Sequence, residues 1–146
     1  MTTIYFDMDG TIADLYGVAG WLEMLNAFDP TPYAEAVPLL RLCSLARVLN
    51  RLQREGYKIG IVSWLSKANN AEYNEAVTAA KIEWINRHLP SVSFDEIKIV
   101  PYGTPKASVV NDPDGILFDD EENNRINWAG TAYDVHNIIE VLRGLN

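Results

Sequence analysis

The sequence predicts a three-layer α/β/α sandwich around a central parallel, Rossmann-like sheet of about five strands. Short apolar runs that stop on polar or turn-forming residues alternate with longer stretches of helical periodicity. Strand then helix, repeated, implies right-handed crossovers between parallel strands, with helices on both faces. The chain's 146 residues, 48% apolar and 22% charged, match one globular domain that needs no metal or disulfide staple.

The first strand is Ile4-Tyr5-Phe6, which stops on Asp7. Lys58 to Val62 stops on Ser63, Glu96 to Val100 on Pro101, and Gly115 to Phe118 on Asp119; Thr131-Ala132-Tyr133 before Asp134 is a weaker fifth candidate. Residues 38–55 set Leu42, Leu45, Leu49 and Leu52 on one helical face and Arg47, Arg51 and Arg54 on another, a solvated one, with Gly56 as the stop. Cys43 in that helix is expected to be inert core. Residues 70–88 place Tyr73, Ala76, Val77, Ala80 and Trp84 on one stripe, and His88 is placed to favour the helix C-terminus through its charge. Residues 136–144 form a last short helix. The chain reads as one domain over 1–146, with a small helical flap at about 12–37, where Gly17, Gly20, Pro30 and Pro32 interrupt a short Trp21–Phe28 pattern.

Charge narrows the function. The chain carries 12 bases against 20 acids, a net charge of −8, which argues against a nucleic-acid backbone as partner. Residues 111–146 hold 8 acids and 2 bases, interleaved with apolar residues, which suits a cation site better than a disordered tail. A single cysteine and the lack of a leader or an 18-residue apolar run point to a cytoplasmic protein with no membrane partner.

In an open parallel sheet, ligands bind at the carboxyl ends of the strands. Asp7, Ser63 and Asp119 end three of the strands, with Asp9, Asp120 and Lys106 close behind. Strand-terminal Asp and Ser residues often only cap turns, but these six would converge on one edge. Four carboxylates repel one another unless a cation is present, and hard oxygen ligands suit Mg²⁺ together with phosphate oxygens. One carboxylate can attack phosphorus, a second can move the proton, and Ser63 and Lys106 can meet the phosphoryl charge.

Asp7-Met8-Asp9-Gly10-Thr11 after an apolar strand resembles the signature of the haloacid dehalogenase superfamily. Ser63 at a strand end, Lys106 at the head of a helix and Phe118-Asp119-Asp120 follow in that family's order, at spacings of 56, 43 and 13 residues from Asp7 onward. The resemblance covers residues 4 to about 125. It implies a Mg²⁺-dependent phosphomonoester hydrolase with Asp7 as nucleophile and Asp9 as general acid/base. Asp9 would also offer its backbone carbonyl to the metal. Thr11 would orient the carboxylates, Ser63 and Lys106 would hold the phosphoryl group, and Asp119 would ligate the metal with support from Asp120. The metal set is thus Asp7, Asp9, Asp119 and Asp120, and the substrate set Thr11, Ser63, Trp64 and Lys106. The dehalogenating branch lacks the second acid, so Asp9 favours a phosphatase. In the similar receiver domains the acidic pair precedes the phosphorylated Asp, whereas here it comes last.

Trp64 departs from the small or polar residue usual after Ser63. It reads equally as core packing or as an aromatic wall able to stack on a base. The gaps leave no room for a large cap, so the chain looks capless or minimally capped, with an open site or one covered by a second subunit. Tyr16, Trp21, Phe28 and Tyr33 could line the entrance, but core of the flap is the better expectation for them. The preferred substrate is a phosphorylated small molecule of nucleotide type, as in a 5′-nucleotidase. The alternatives are a protein, sugar or nucleic-acid-end phosphate, or a silent domain that binds a phosphorylated ligand.

Overall fold

The computed structural model describes residues 2–68 and 70–145. Its centre is a five-stranded sheet of order β5-β4-β1-β6-β7, with every pair parallel: β1 (Thr3–Phe6), β4 (Lys58–Trp64), β5 (Glu96–Val100), β6 (Ile116–Phe118) and β7 (Thr131–Tyr133). β1 is buried along its whole length, which its near-continuous apolar run requires of a central parallel strand. The chain builds outward from β1 to β4 and β5, then returns to add β6 and β7 on β1's other side. The strand order therefore reverses at β1, and the crevice at such a reversal is where open α/β sheets bind ligands.

Alternation along the strands divides the core. Ile4, Phe6, Ile59, Ile61 and Phe118 pack against α3 (Leu42–Arg54), α4 (Ala71–His88) and α6 (Ile138–Arg143). Tyr5, Val62 and Leu117 face the other way, toward Trp128 and the Ala107–Val110 segment. The helical layers are therefore unequal: the long α3 and α4 with the short α6 cover one face, while the second carries the short α5 (Glu122–Ile126) with Trp128, whose indole donates to Gly115 O at 2.9 Å. Gly60 lies beside Tyr5 in the sheet, where a Cβ would sit 2.8 Å from the tyrosine ring. The missing side chain lets Tyr5 lie flat and donate to Glu96 at 2.7 Å.

One row of rings ties the sheet together below the site. Phe6, Phe118 and Tyr133 are register partners on β1, β6 and β7, stacked at 5.2 and 5.5 Å between centroids. Aromatic pairs of this kind add about 0.5–1.5 kcal/mol beyond their burial.

Residues 12–37 leave the sheet as a small insert. β2 (Ala13–Asp14) and β3 (Val37–Pro38) pair antiparallel to form its neck, which holds a 3-10 turn over Leu15–Gly17, α1 (Trp21–Asn26) and α2 (Thr31–Glu35). α4 anchors the later half: Tyr73 Oη, Trp84 Nε1 and Arg87 Nη2 donate to the carbonyls of Asp29, Ala36 and Ala34. α4 itself starts on Asn70, whose side chain accepts from Tyr73 N at 2.9 Å, an N-cap.

Some expectations change. The helix expected from residue 38 starts at Leu42, because Val37-Pro38 is spent on the neck and Leu39 N bonds Ile12 O. Cys43 is exposed, lying off the Leu45, Val48, Leu49 and Leu52 stripe that meets the core. The last helix begins at Ile138 after a 3-10 turn. His88, in the last turn of α4, packs on Trp84 at 4.4 Å, and burial with the neighbouring Arg87 lowers its pKa. Among the described residues no helix is long and apolar enough to cross a membrane.

Candidate active site

Register brings the two ends of the acidic constellation together. Phe6 pairs with Phe118, so Asp7 and Asp119 emerge side by side from β1 and β6, with Asp7 N bonded to Phe118 O at 3.0 Å. After Asp7 the chain coils round one carbonyl: the amides of Thr11, Ile12 and Ala13 all donate to Met8 O. Gly10 sits in that coil at φ +81°, a conformation L side chains rarely adopt. Buried Met8 and Ile12 anchor the coil to the core.

Lys106 stands between the acids. Its Nζ is 2.9 Å from Asp7 Oδ1 and 2.6 Å from Asp119 Oδ2, and it is almost fully buried. Burial opposes its charge, but the two carboxylates outweigh that and hold its pKa above the usual lysine range. Lys106 opens a single 3-10 turn (Lys106–Ser108) rather than a helix, because Val109 and Val110 turn down to pack on Tyr5 and Leu117. Thr11 Oγ1 lies 3.2 Å from Asp7 Oδ2 and 3.4 Å from Asp120 Oδ1, so one hydroxyl sits between two carboxylates.

Asp119 is fully buried and heavily bonded. Its Oδ1 accepts from Glu121 N, its Oδ2 from Lys106 and Asn124, and its carbonyl from Arg125. Burial, then the charge on Asp7, push its pKa up to about 6. The same causes push half-buried Asp120 up to about 8. Among the described residues, Asp7, Asp119 and Asp120 each present an oxygen within 4.8 Å of the others. Such hard oxygen donors, too crowded to ionise together without a compensating cation, fit Mg²⁺.

The Asp9 carboxylate lies outside that cluster. Its Oδ2 accepts from Lys81 Nζ at 2.9 Å, and burial raises its pKa while Lys81 works against the rise. Lys81 also donates to Ser63 Oγ at 2.8 Å and to Trp64 O at 2.6 Å. Ser63 is fully buried and does not line the cavity, so the expected hydroxyl lies one layer behind the acids.

The cavity above the acids measures about 650 Å³. Asp7, Asp9, Asp120 and Lys106 lie in its lining, beneath aromatic walls. Trp64 forms one wall: it meets Tyr102 at 4.9 Å, its indole donates to Thr104 O at 2.7 Å, and Lys106 Nζ lies 5.4 Å from its ring. Tyr16 and Trp21, in edge contact at 5.0 Å, stand on the insert with Phe28 and Tyr33. All four insert aromatics line the cavity; Tyr16 and Phe28 are half exposed, and only Tyr33 is also buried, so they line the entrance more than they form a core. Lys81, Asn124 and Arg125 escape the sequence reading. Arg125 and Asn124 follow the acidic pair by one short turn, which is a usable signal, whereas Lys81 sits on an otherwise apolar stripe and gives none.

No family model matches the chain, and no curated protein matches it in sequence. Solved structures share its fold. D,D-heptose 1,7-bisphosphate phosphatase from Burkholderia thailandensis superposes with a TM-score of 0.54 at 15% identity, over 89% of this chain and 75% of that one. D,D-heptose 1,7-bisphosphate phosphatase from B. bronchiseptica, complexed with magnesium and phosphate, gives a TM-score of 0.53 at 14% identity, over 90% of this chain and 78% of that one.

Proposed function

We propose that this protein is a Mg²⁺-dependent phosphomonoester hydrolase of the haloacid dehalogenase type, working through an aspartyl-phosphate on Asp7. One observation carries the reading: Asp7, Asp119 and Asp120 cluster at the strand-order reversal with Lys106 bonded to the first two, and Asp7, Asp120 and Lys106 line an open cavity. The fold neighbours, phosphatases of which one holds magnesium and phosphate, support it.

Mg²⁺ held by Asp7, Asp119 and Asp120 would supply positive charge to the phosphoryl oxygens. Lys106, fixed between Asp7 and Asp119, offers its charge to the same oxygens. A carboxylate oxygen of Asp7 attacks phosphorus; the Asp7 O–P bond forms as the ester P–O bond breaks. Asp9 gives its proton to the departing oxygen, so the alcohol leaves neutral. Asp9, now a carboxylate, takes a proton from water as that water attacks phosphorus. The aspartyl O–P bond breaks, phosphate leaves, and Asp7 and Asp9 return to their starting states.

The Trp64 and Tyr102 wall, in a cavity also lined by Tyr16, Trp21 and Phe28, favours a leaving alcohol that carries an aromatic ring, hence a nucleotide-like phosphomonoester. The fold neighbours' sugar bisphosphate substrate supports the rival sugar reading. The insert is too small to be a separate cap domain, and we read the protein as minimally capped, working as one domain. Phenyl phosphate turnover with Mg²⁺ tests the reaction: wild type is expected to turn over and Asp7→Asn to fall to background. Equal rates above background would overturn the aspartyl mechanism, and background rates for both would leave a domain that only binds phosphorylated ligands. A panel of nucleoside monophosphates against sugar phosphates tests the substrate, and preference for the sugars would overturn the nucleotide reading.

A further inference from the structure

The described residues include two buried lysines, and the chemistry above uses only Lys106. Lys81 lies on the inner stripe of α4 with Tyr73, Val77, Trp84 and Ile85, where a methionine would fill the space without dehydrating an ammonium. It is 1% exposed and does not line the cavity, so substrate does not touch it. Its three N–H bonds all have acceptors: Asp9 Oδ2, Ser63 Oγ and Trp64 O. The only anion among these is Asp9. The other two belong to the end of β4, one of the most buried strands of the sheet.

A lysine ammonium donates and cannot accept. The oxygen of Asp9 facing Lys81 is therefore the acceptor oxygen in either protonation state, and any proton on Asp9 resides on Oδ1. That oxygen bonds no described residue, is not sealed from solvent, and belongs to a side chain lining the cavity. Ser63, buried behind the acids, is then a fixed point for Lys81.

We propose that Lys81 is the positioning residue for Asp9, clamping Oδ2 to the end of β4 so that Oδ1 carries the proton toward the substrate's leaving oxygen. This rests on the phosphatase reading. The experiment compares phenyl phosphate, whose leaving phenolate needs a proton, with 2,4-dinitrophenyl phosphate, whose far more acidic phenol leaves without one. Lys81→Met is expected to lower kcat/KM, which reports the steps up to departure of the alcohol and not the aspartyl-phosphate hydrolysis common to both esters, about 10²-fold on phenyl phosphate, the lower end of what acid assistance contributes, with little change on the dinitrophenyl ester. Lys81→Gln, which keeps a donor for the end of β4 should the Met variant not fold, is expected to shift the ratio of the two rates in the same direction. Equal losses on both esters, or no loss on either, would overturn the role of Lys81 while leaving the phosphatase reading intact. A wild type that turns over neither ester would overturn both, a result no Lys81 variant can imitate.

Discussion

Gly10 and Asp120 occupy the same space: a Cβ on Gly10 would lie 2.3 Å from Asp120 Oδ2. The glycine is held there twice, by its φ of +81° and by the carboxylate against it. Gly10→Ala is therefore expected to cost at least about 1–2 kcal/mol for the left-handed conformation alone. It also pushes Asp120 out of the carboxylate cluster. Denaturant melts and a Mg²⁺ titration check the two effects, and a variant that keeps wild-type affinity would show that Asp120 does not serve the metal.

Lys106→Met leaves Asp7 and Asp119 buried and facing each other without their shared cation. Removing one partner of a buried ion pair typically costs about 3–5 kcal/mol. The metal-free variant should lose stability of that order, and phosphate ester turnover should fall to background. Added Mg²⁺ should restore part of the stability in thermal melts and none of the turnover.

The pH dependence has a definite sign. Asp119 and Asp120 titrate at about 6 and about 8 in the folded protein, well above ordinary carboxylates. The folded state therefore keeps protons that the unfolded chain has already released, and stability falls as pH rises across that window. Lys106, raised rather than lowered, acts only above the lysine range. Thermal melts in EDTA should show a falling midpoint from about pH 5 to about pH 8.5, while the stabilisation given by Mg²⁺ grows over the same range. A metal-free midpoint that rises instead would show that the acids are not crowded as described.

Trp64 supplies most of the fixed wall, because its indole is tied to Thr104 O and its ring leans on Tyr102. Trp64→Leu is expected to raise KM for a nucleoside monophosphate about tenfold, in line with about 1–3 kcal/mol for a stacked base. KM for a small alkyl phosphate should barely change. Parallel kinetics on the two substrates give the answer, and equal effects would remove the stacking role.

Much of this was legible in the sequence because the strands are short apolar runs with an abrupt polar end. Asp7 and Asp119 mark those ends, Ser63 lies one residue short of the end of β4, which runs on through Trp64, and parallel order alone places the three on one edge. The fate of each side chain was less legible. Ser63 and Trp64 are adjacent, yet one is sealed behind the acids and the other forms a cavity wall, a choice made by packing on α4 and Tyr102. Lys81 was invisible because its partners lie on the loop after β1 and at the end of β4, far away in sequence. Lys106 suggested a helix because the residues after it look able to continue one, and only the second face's need for Val109 and Val110 stops it. Cys43 looked buried because its helix is apolar, but it falls between the rows that meet the sheet.

The ring row under the acids marks the register on which the site depends. Phe6 and Phe118 stack only when β1 and β6 are in the observed register, which also sets Asp7 beside Asp119. A slip of β6 by one residue turns every one of its side chains to the opposite face. It would bring Phe118 or Asp120 to the level of Asp7 and leave the sheet without its stacked rings. Stacked rings are therefore a register mark: where Phe6 lies on Phe118, Asp7 stands beside Asp119.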